Sequence, residues 1–182
     1  MKYALLFTLL LITGSLSAQK INWMTMNEAV AAQAKNPKKI FVDMYTNWCG
    51  PCKLLDRNTF SNKDVIKYIN KNFYAVKFNG EGNEPVTDSK RTYTNPGYDP
   101  AKANRRNSQH QFATYMGVRA YPTVLFLDEQ GGLINRVRGY KTPQQMEFYL
   151  KFFGTDLWKE ITTQDAFDAH FESFEPQFKT DK

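Results

Sequence analysis

Residues 41–53 read FVDMYTNWCGPCK, and this stretch decides the fold. With Ile40 its first half forms the run IFVDMY (40–45), preceded by the turn residues NPKK and interrupted only by Asp43. A short, nearly continuous apolar run between turn signals is the pattern of a strand buried on both faces. The second half opens a helix at GPCKLLDRNTF (50–60). Pro51 is tolerated there because its missing N–H would have no partner in a first helical turn. Cys49 and Cys52, the only two cysteines among 182 residues, therefore sit where a strand hands over to a helix.

The flanks supply the partners of this unit. MNEAVAAQAK (26–35) has helix-forming composition, with Thr25 as its cap. In SNKDVIKYINKNF (61–73), Val65, Ile66, Ile69 and Phe73 lie on one helical face, with Ser61 as the expected cap. YAVKF (74–78) reads as a second strand, TVLFLD (123–128) as a third and LINRVRGY (133–140) as a fourth, the last two joined through Gly131 and Gly132. SQHQFATYMG (108–117) reads as a helix ending at Gly117, with His110 facing solvent. Thr142 and Gln145 form a capping box around Pro143, ahead of an apolar stripe of Met146, Tyr149, Leu150 and Phe153 that ends at Gly154. Strand–helix alternation closed by a hairpin predicts an α/β fold: a central mixed sheet with helices on both faces.

Two segments exceed this plan. Gly80 to Asn107 is a 28-residue connection rich in Gly, Pro, Asn and charge, long enough to be either functional or mobile. Within it, Asp99 and Pro100 are suited to cap and open a helix. Beyond Gly154, Phe167, Phe171 and Phe174 recur near helical spacing, which predicts an added amphipathic helix in 155–182, packed on the domain. His170 is expected to face solvent or to pack beside Phe171.

Lys2, the apolar stretch Ala4 to Ile12 and the small residues of GSLSAQ have the form of a secretory signal peptide cleaved after Ala18. That run is too short to span a membrane, which takes about 20 residues. No stable membrane anchor is expected, and the export signal places the protein in the periplasm or outside the cell. The net charge of +6 is uneven: residues 19–154 hold 20 basic and 11 acidic residues, whereas Thr155 onward holds 3 and 7. The basic excess suits a solvated surface or acidic partners. With no basic repeat or RNA-binding signature, nucleic acid is not an expected partner.

The cysteine pair admits three readings. As a structural staple it closes a very short loop, worth about 2 kcal/mol by chain entropy against about 4.7 for a hundred-residue loop. As a zinc clip it needs two more ligands, and His110 and His170 have no paired spacing. Covalent haem attachment needs His directly after the second cysteine, where Lys53 stands. As a working dithiol, Cys49 lies at a helix N-terminus, where free N–H groups and the macrodipole lower a thiol pKa from about 8.5 towards about 7 or below. Cys52, almost one turn on and expected to be the more buried, is placed to attack a mixed disulfide on Cys49. Gly50 and Pro51 shape the turn that keeps the sulfurs close. Electrons then travel on sulfur alone, so no cofactor and no metal are required.

WCGPC is the thioredoxin active-site motif, and the sequence resembles the thioredoxin-fold family over roughly residues 25–154. Its leading helix and NTFSNKDVIKYINKNF look most like the exported branch related to the C-terminal domain of the membrane electron transporter DsbD and to thioredoxin-like proteins of the bacterial envelope. The resemblance implies a three-layer thioredoxin-like domain over 19–154, with an insertion at about 80–107. It implies Cys49 as nucleophile, Cys52 as resolving thiol, Asp43 as the buried carboxylate in proton transfer, and Lys77 as its neighbour. It implies a cis peptide at Pro122 in VRAYPT, with Tyr121 beside the cysteines, and it matches Gly139 to a family glycine. Trp48, Gly50, Pro51, Tyr121 and Pro122 are the implied substrate-facing residues. The implied activity is reduction of disulfides in protein substrates, fed by a membrane reductase. A disulfide oxidase or isomerase on the same fold, or a non-catalytic thioredoxin-fold binding module, are the alternatives. The 80–107 insertion and the tail depart from the family pattern and argue against a broad substrate range.

Overall fold

The structure, a computed structural model, describes residues 20–88 and 91–179. The proposed signal peptide lies outside the described residues. The strand β1 (Trp23–Met24) leads into the helix α1 (Met26–Lys35), then β2 (Ile40–Tyr45), α2 (Gly50–Asn58), α3 (Lys63–Asn72) and β3 (Tyr74–Asn79). The short strands β4 (Val86–Thr87) and β5 (Thr92–Tyr93) precede α4 (Gln111–Tyr115), β6 (Thr123–Leu127), β7 (Leu133–Arg138) and α5 (Pro143–Gly154). Two further helices, α6 (Leu157–Glu160) and α7 (Gln164–Glu172), follow.

The main sheet has the order β1-β3-β2-β6-β7, with β1, β3 and β2 parallel and β6 and β7 antiparallel. The central strand β2 sends alternate side chains to two cores, as the two-residue period of a strand requires. Phe41 packs with Leu55 of α2, Ile66 and Ile69 of α3 and Phe153 of α5. Ile40, Val42 and Met44 pack with Ala29 of α1 and Phe112 of α4. The result is three layers, with the parallel crossover from β2 to β3 carried by α2 and α3. Capping boxes open α1 at Thr25 with Glu28, and α5 at Thr142 with Gln145.

The structure corrects several expectations. Asn62, not Ser61, caps α3: its side chain accepts from the Asp64 and Val65 N–H groups, while the Ser61 hydroxyl donates to Arg57 O at 2.5 Å. The helix expected from residue 108 begins only at Gln111. Residues 108–110 are drawn out by the insertion, through His110 N–H to Gly80 O and Asn95 Nδ2 to Ser108 O, both at 2.9 Å. His110 is fully buried, not solvent-facing: its ring packs edge-on to Phe78, and its Nδ1 caps α4 by accepting from Phe112 N–H at 3.0 Å. The fourth strand stops at Arg138 because Gly139 takes a left-handed φ of 79°. The brief strand β1 has no counterpart in the sequence reading.

The insertion is not featureless. β4 and β5 pair as a small hairpin, with Val86 and Tyr93 buried in the α1/α4 core. Asp99 caps a short 3-10 turn at Pro100–Lys102. Asn27 of α1 ties the hairpin down through Pro85 O and Thr87 N–H.

The tail packs on α5. Phe148 meets the rings of Phe167, Phe171 and Phe174 at centroid distances of 5.5, 4.7 and 5.3 Å, and His170 packs on it at 5.6 Å. Beside it the fully buried Glu147 accepts from the Gln177 and Phe178 N–H groups, both at 2.7 Å, and pairs with Lys151 at 2.6 Å. Removing this carboxylate takes the acceptor from two backbone N–H groups, at about 1–3 kcal/mol, while the partly exposed Lys151 can turn to water. Glu147→Ala should therefore lower stability in urea titrations by about 2 kcal/mol. It should also open residues 174–179 to limited proteolysis. A tail as protected as in the wild type would show that the aromatic contacts alone hold it.

Candidate active site

Cys49 caps α2 from an extended conformation, and Pro51 falls in the first turn. The two cysteines are joined as a disulfide with Cα atoms 5.3 Å apart. Cys49 Sγ accepts from the Cys52 N–H at 3.2 Å, so one of the orphan donors of the helix end points at this sulfur. Cys49 and Cys52 are 2% and 3% exposed, so Cys52 is not the more sheltered of the two: the disulfide draws both sulfurs into the same turn. A Cβ at Gly50 would meet open space, so sterics do not demand glycine there.

Six residues before Cys49, Asp43 is 1% exposed on β2. The parallel register sets it opposite Lys77 of β3, and Lys77 Nζ reaches Asp43 Oδ2 at 3.1 Å. Burial raises the Asp43 pKa to about 6, against the pull of the Lys77 charge, and the Asp56 charge adds to the rise. Lys77 also pairs with Asp56 of α2, four residues beyond Cys52. Its ammonium lies over the rings of Trp23, Tyr45 and Phe60, at 5.2, 5.1 and 5.9 Å from their centroids. Burial works against the ammonium, but the two carboxylates outweigh it and its pKa is raised. An ion-paired chain thus runs from the cysteine helix to the central strand.

The rim is built around Trp48. Its Nε1–H donates to Glu81 Oε2 at 2.7 Å, and its ring meets Tyr121 edge-on at 6.5 Å. The Tyr121–Pro122 peptide is cis. Burial, with the Glu81 charge, pushes the Tyr121 hydroxyl pKa well up. A Cβ on Gly80 would run into the ring and hydroxyl of Tyr121, so glycine lets the insertion leave β3 close to that ring. Arg106 covers the Trp48 ring at 4.9 Å, and Asn47 Nδ2 donates to Ala103 O at 2.8 Å.

The structure thus brings Asp43 against Lys77, and Trp48 against Tyr121. Sequence reasoning missed Asp56, Glu81 and Arg106. Asp56 was accessible, since it follows Cys52 by four residues on one helix face. Glu81 and Arg106 had no local signal: they stand 33 and 58 residues from Trp48. Among the described residues no group of three His, Cys, Asp or Glu side chains is placed to hold a metal ion. Nor is any described helix long and apolar enough to cross a membrane.

A cysteine pair joined across one helical turn, at the end of the central strand of a three-layer α/β domain, defines the class: a thioredoxin-like fold with a disulfide at a helix N-terminus. Residues 26–154 match the family model of the thioredoxin-like domain, and the chain belongs to that family. The thiol:disulfide interchange protein DsbD of Pectobacterium atrosepticum is 27% identical over 125 residues, covering 68% of this chain and 18% of the relative. The chain spans only about a fifth of the length of the DsbD relatives it matches. A thioredoxin of Mycoplasmoides gallisepticum is 27% identical over 114 residues, 63% of this chain and 83% of its own. A thioredoxin-fold protein from Helicobacter pylori shares the fold with a TM-score of 0.57 at 16% identity, over 81% of this chain and 94% of that one.

The Asp43 carboxyl sets a pH dependence. Its folded pKa of about 6 lies above the ordinary 3.8, so the folded protein holds this proton more tightly than the unfolded chain does. The stability it contributes is fully present below about pH 4, where both states hold the proton, and is lost between about pH 4 and 6, so that above about pH 6 folding is weaker than at low pH by roughly 3 kcal/mol. Asp43→Asn should flatten this slope in urea titrations of the disulfide form and be the more stable protein at neutral pH. An unchanged slope would place the titrating group elsewhere.

Proposed function

We propose that the protein is an exported thiol–disulfide oxidoreductase that reduces disulfides in protein substrates. The observation that carries this reading is the Cys49–Cys52 disulfide at the N-terminus of α2, with the Cys52 N–H already directed at Cys49 Sγ. In the dithiol form the same N–H stabilises a Cys49 thiolate. That thiolate attacks one sulfur of the substrate disulfide, and the other sulfur leaves and takes a proton. Asp43, mostly ionised at neutral pH with a pKa of about 6, takes the Cys52 proton. Cys52 then attacks Cys49 Sγ, the mixed disulfide breaks, and the second substrate sulfur departs as a thiol with the proton that Asp43 took. The substrate gains two electrons from the dithiol and two protons, one from solvent and one from Cys52, and the disulfide form is restored.

Lys77 is a positioning residue here, holding Asp43 between strand and helix. Trp48, Gly50, Pro51, Tyr121 and Pro122 form the substrate-facing rim, where backbone groups of the cis-proline loop can pair with an extended chain. Residues 19–154 act as the thioredoxin-like unit and 155–182 as its C-terminal extension, of which the described part, 155–179, docks on α5. The N-terminal signal supports export to the periplasm or beyond. The similarity to DsbD, a thiol:disulfide interchange protein, supports a membrane reductase as electron donor in an oxidising compartment.

Equilibration with glutathione buffers tests the direction. A reduction potential near about −270 mV is expected for an electron donor, whereas about −180 to −120 mV would make the protein an oxidase or isomerase. Cys49→Ser should abolish turnover, and Cys52→Ser should accumulate mixed disulfides visible on non-reducing gels. No mixed disulfide with any substrate would count against catalysis and favour a binding module.

A further inference from the structure

The segment Asp99–Asn107 of the insertion is fastened to the cysteine turn at three points. Asn47 Nδ2 donates to Ala103 O. Asn107 N–H donates at 2.9 Å to Glu81 Oε2, the oxygen that also receives Trp48 Nε1–H. Arg106 lies on the face of Trp48, the residue directly before Cys49. The segment carries Lys102, Arg105 and Arg106 against one acid, Asp99, and Asp99 is already paired with Lys102 at 3.3 Å. Both arginines are exposed, and among the described residues neither forms an ion pair with a carboxylate.

A guanidinium held over an indole by cation–π attraction keeps N–H donors that the ring does not use. Those donors form a planar fork matched to a carboxylate, and contact with the ring limits where the fork sits beforehand. Here the fork is held within a residue of the sulfur that the substrate must reach. The surrounding domain adds to the field, since residues 19–154 hold 20 basic against 11 acidic residues.

We propose that this lip is a substrate-recognition surface on which Arg106 receives an Asp or Glu side chain flanking the substrate cysteine, so that the protein selects disulfides set in acidic protein segments. The inference rests on the oxidoreductase reading. The chemical step is unchanged: the Cys49–Cys52 dithiol is oxidised to the disulfide while the substrate disulfide is reduced to two thiols. Arg106 forms and breaks no bond and acts on binding.

The test uses the full-length reduced protein without its leader and two disulfide-bonded peptides that differ only in Glu or Lys beside the cysteines. The second-order rate constant for oxidation of the protein is measured for each peptide, with the uncharged hydroxyethyl disulfide as reference. The wild type should prefer the acidic peptide by about tenfold or more at low salt, and the preference should shrink as salt rises. In Arg106→Gln the ratio of the two rate constants should fall by about threefold or more, to the residual preference that the general positive field of the domain supplies. Arg106→Lys, which keeps the charge without the fork, should give a ratio between the two. Equal rates in the wild type, or a ratio that Arg106→Gln leaves intact, would overturn the proposal. Failure of even hydroxyethyl disulfide to oxidise the protein would instead overturn the oxidoreductase reading, and this inference with it.

Discussion

A carboxylate in the central strand of the sheet is the constraint around which this protein is arranged. β2 is covered on both faces, so Asp43 is almost wholly withdrawn from water, and an isolated charge there would cost several kcal/mol. Lys77, its register partner on β3, offsets that cost. The lysine is itself largely withdrawn from solvent and needs support of its own. Asp56 supplies a second carboxylate from α2, and three aromatic rings supply a face for the ammonium. Helix, strand and charge pair are therefore mutually dependent. The arrangement leaves Asp43 only partly compensated, which is why its pKa stays raised and close to the range where it can exchange protons at neutral pH.

The rim obeys a different physics. Its parts are polar contacts between the cysteine turn and a segment far along the chain, and Glu81 joins them. One of its oxygens accepts from both Trp48 and Asn107, so the position of the indole and the path of the insertion are set together. Gly80 permits this by letting the chain turn away from β3 against Tyr121. The insertion is thus part of the rim around the cysteine turn, not an ornament beyond it. The tail, by contrast, is anchored on α5 through Glu147 and a cluster of phenylalanines, and helps close the core on the α3/α5 face.

Legibility followed the range of the interactions. α1, β2 and the α5 capping box follow from patterns a few residues long, and the structure realises them at the expected positions. α4 starts later than its local signal implies because the His110 N–H donates to Gly80 O and Asn95 Nδ2 donates to Ser108 O, and both bonds override that signal. His110 was misjudged for the same reason: a residue pulled into the core by its neighbours carries no mark of that in its own spacing. Asp56 lay within reach of helical periodicity, but its partner on another strand did not.

By itself the sequence determined the layered α/β plan, the strand-to-helix turn that holds the only two cysteines, and a hydrophobic pattern that buries Asp43. These rest on local propensity and on alternation of apolar residues, which a chain carries wherever it is read. Only the tertiary structure decided how Asp56 and three rings support the Asp43–Lys77 pair, how the insertion grips Trp48 and where Arg106 sits on its ring. Those are meetings between residues tens of positions apart, fixed by sheet register and packing geometry, and a linear sequence records neither.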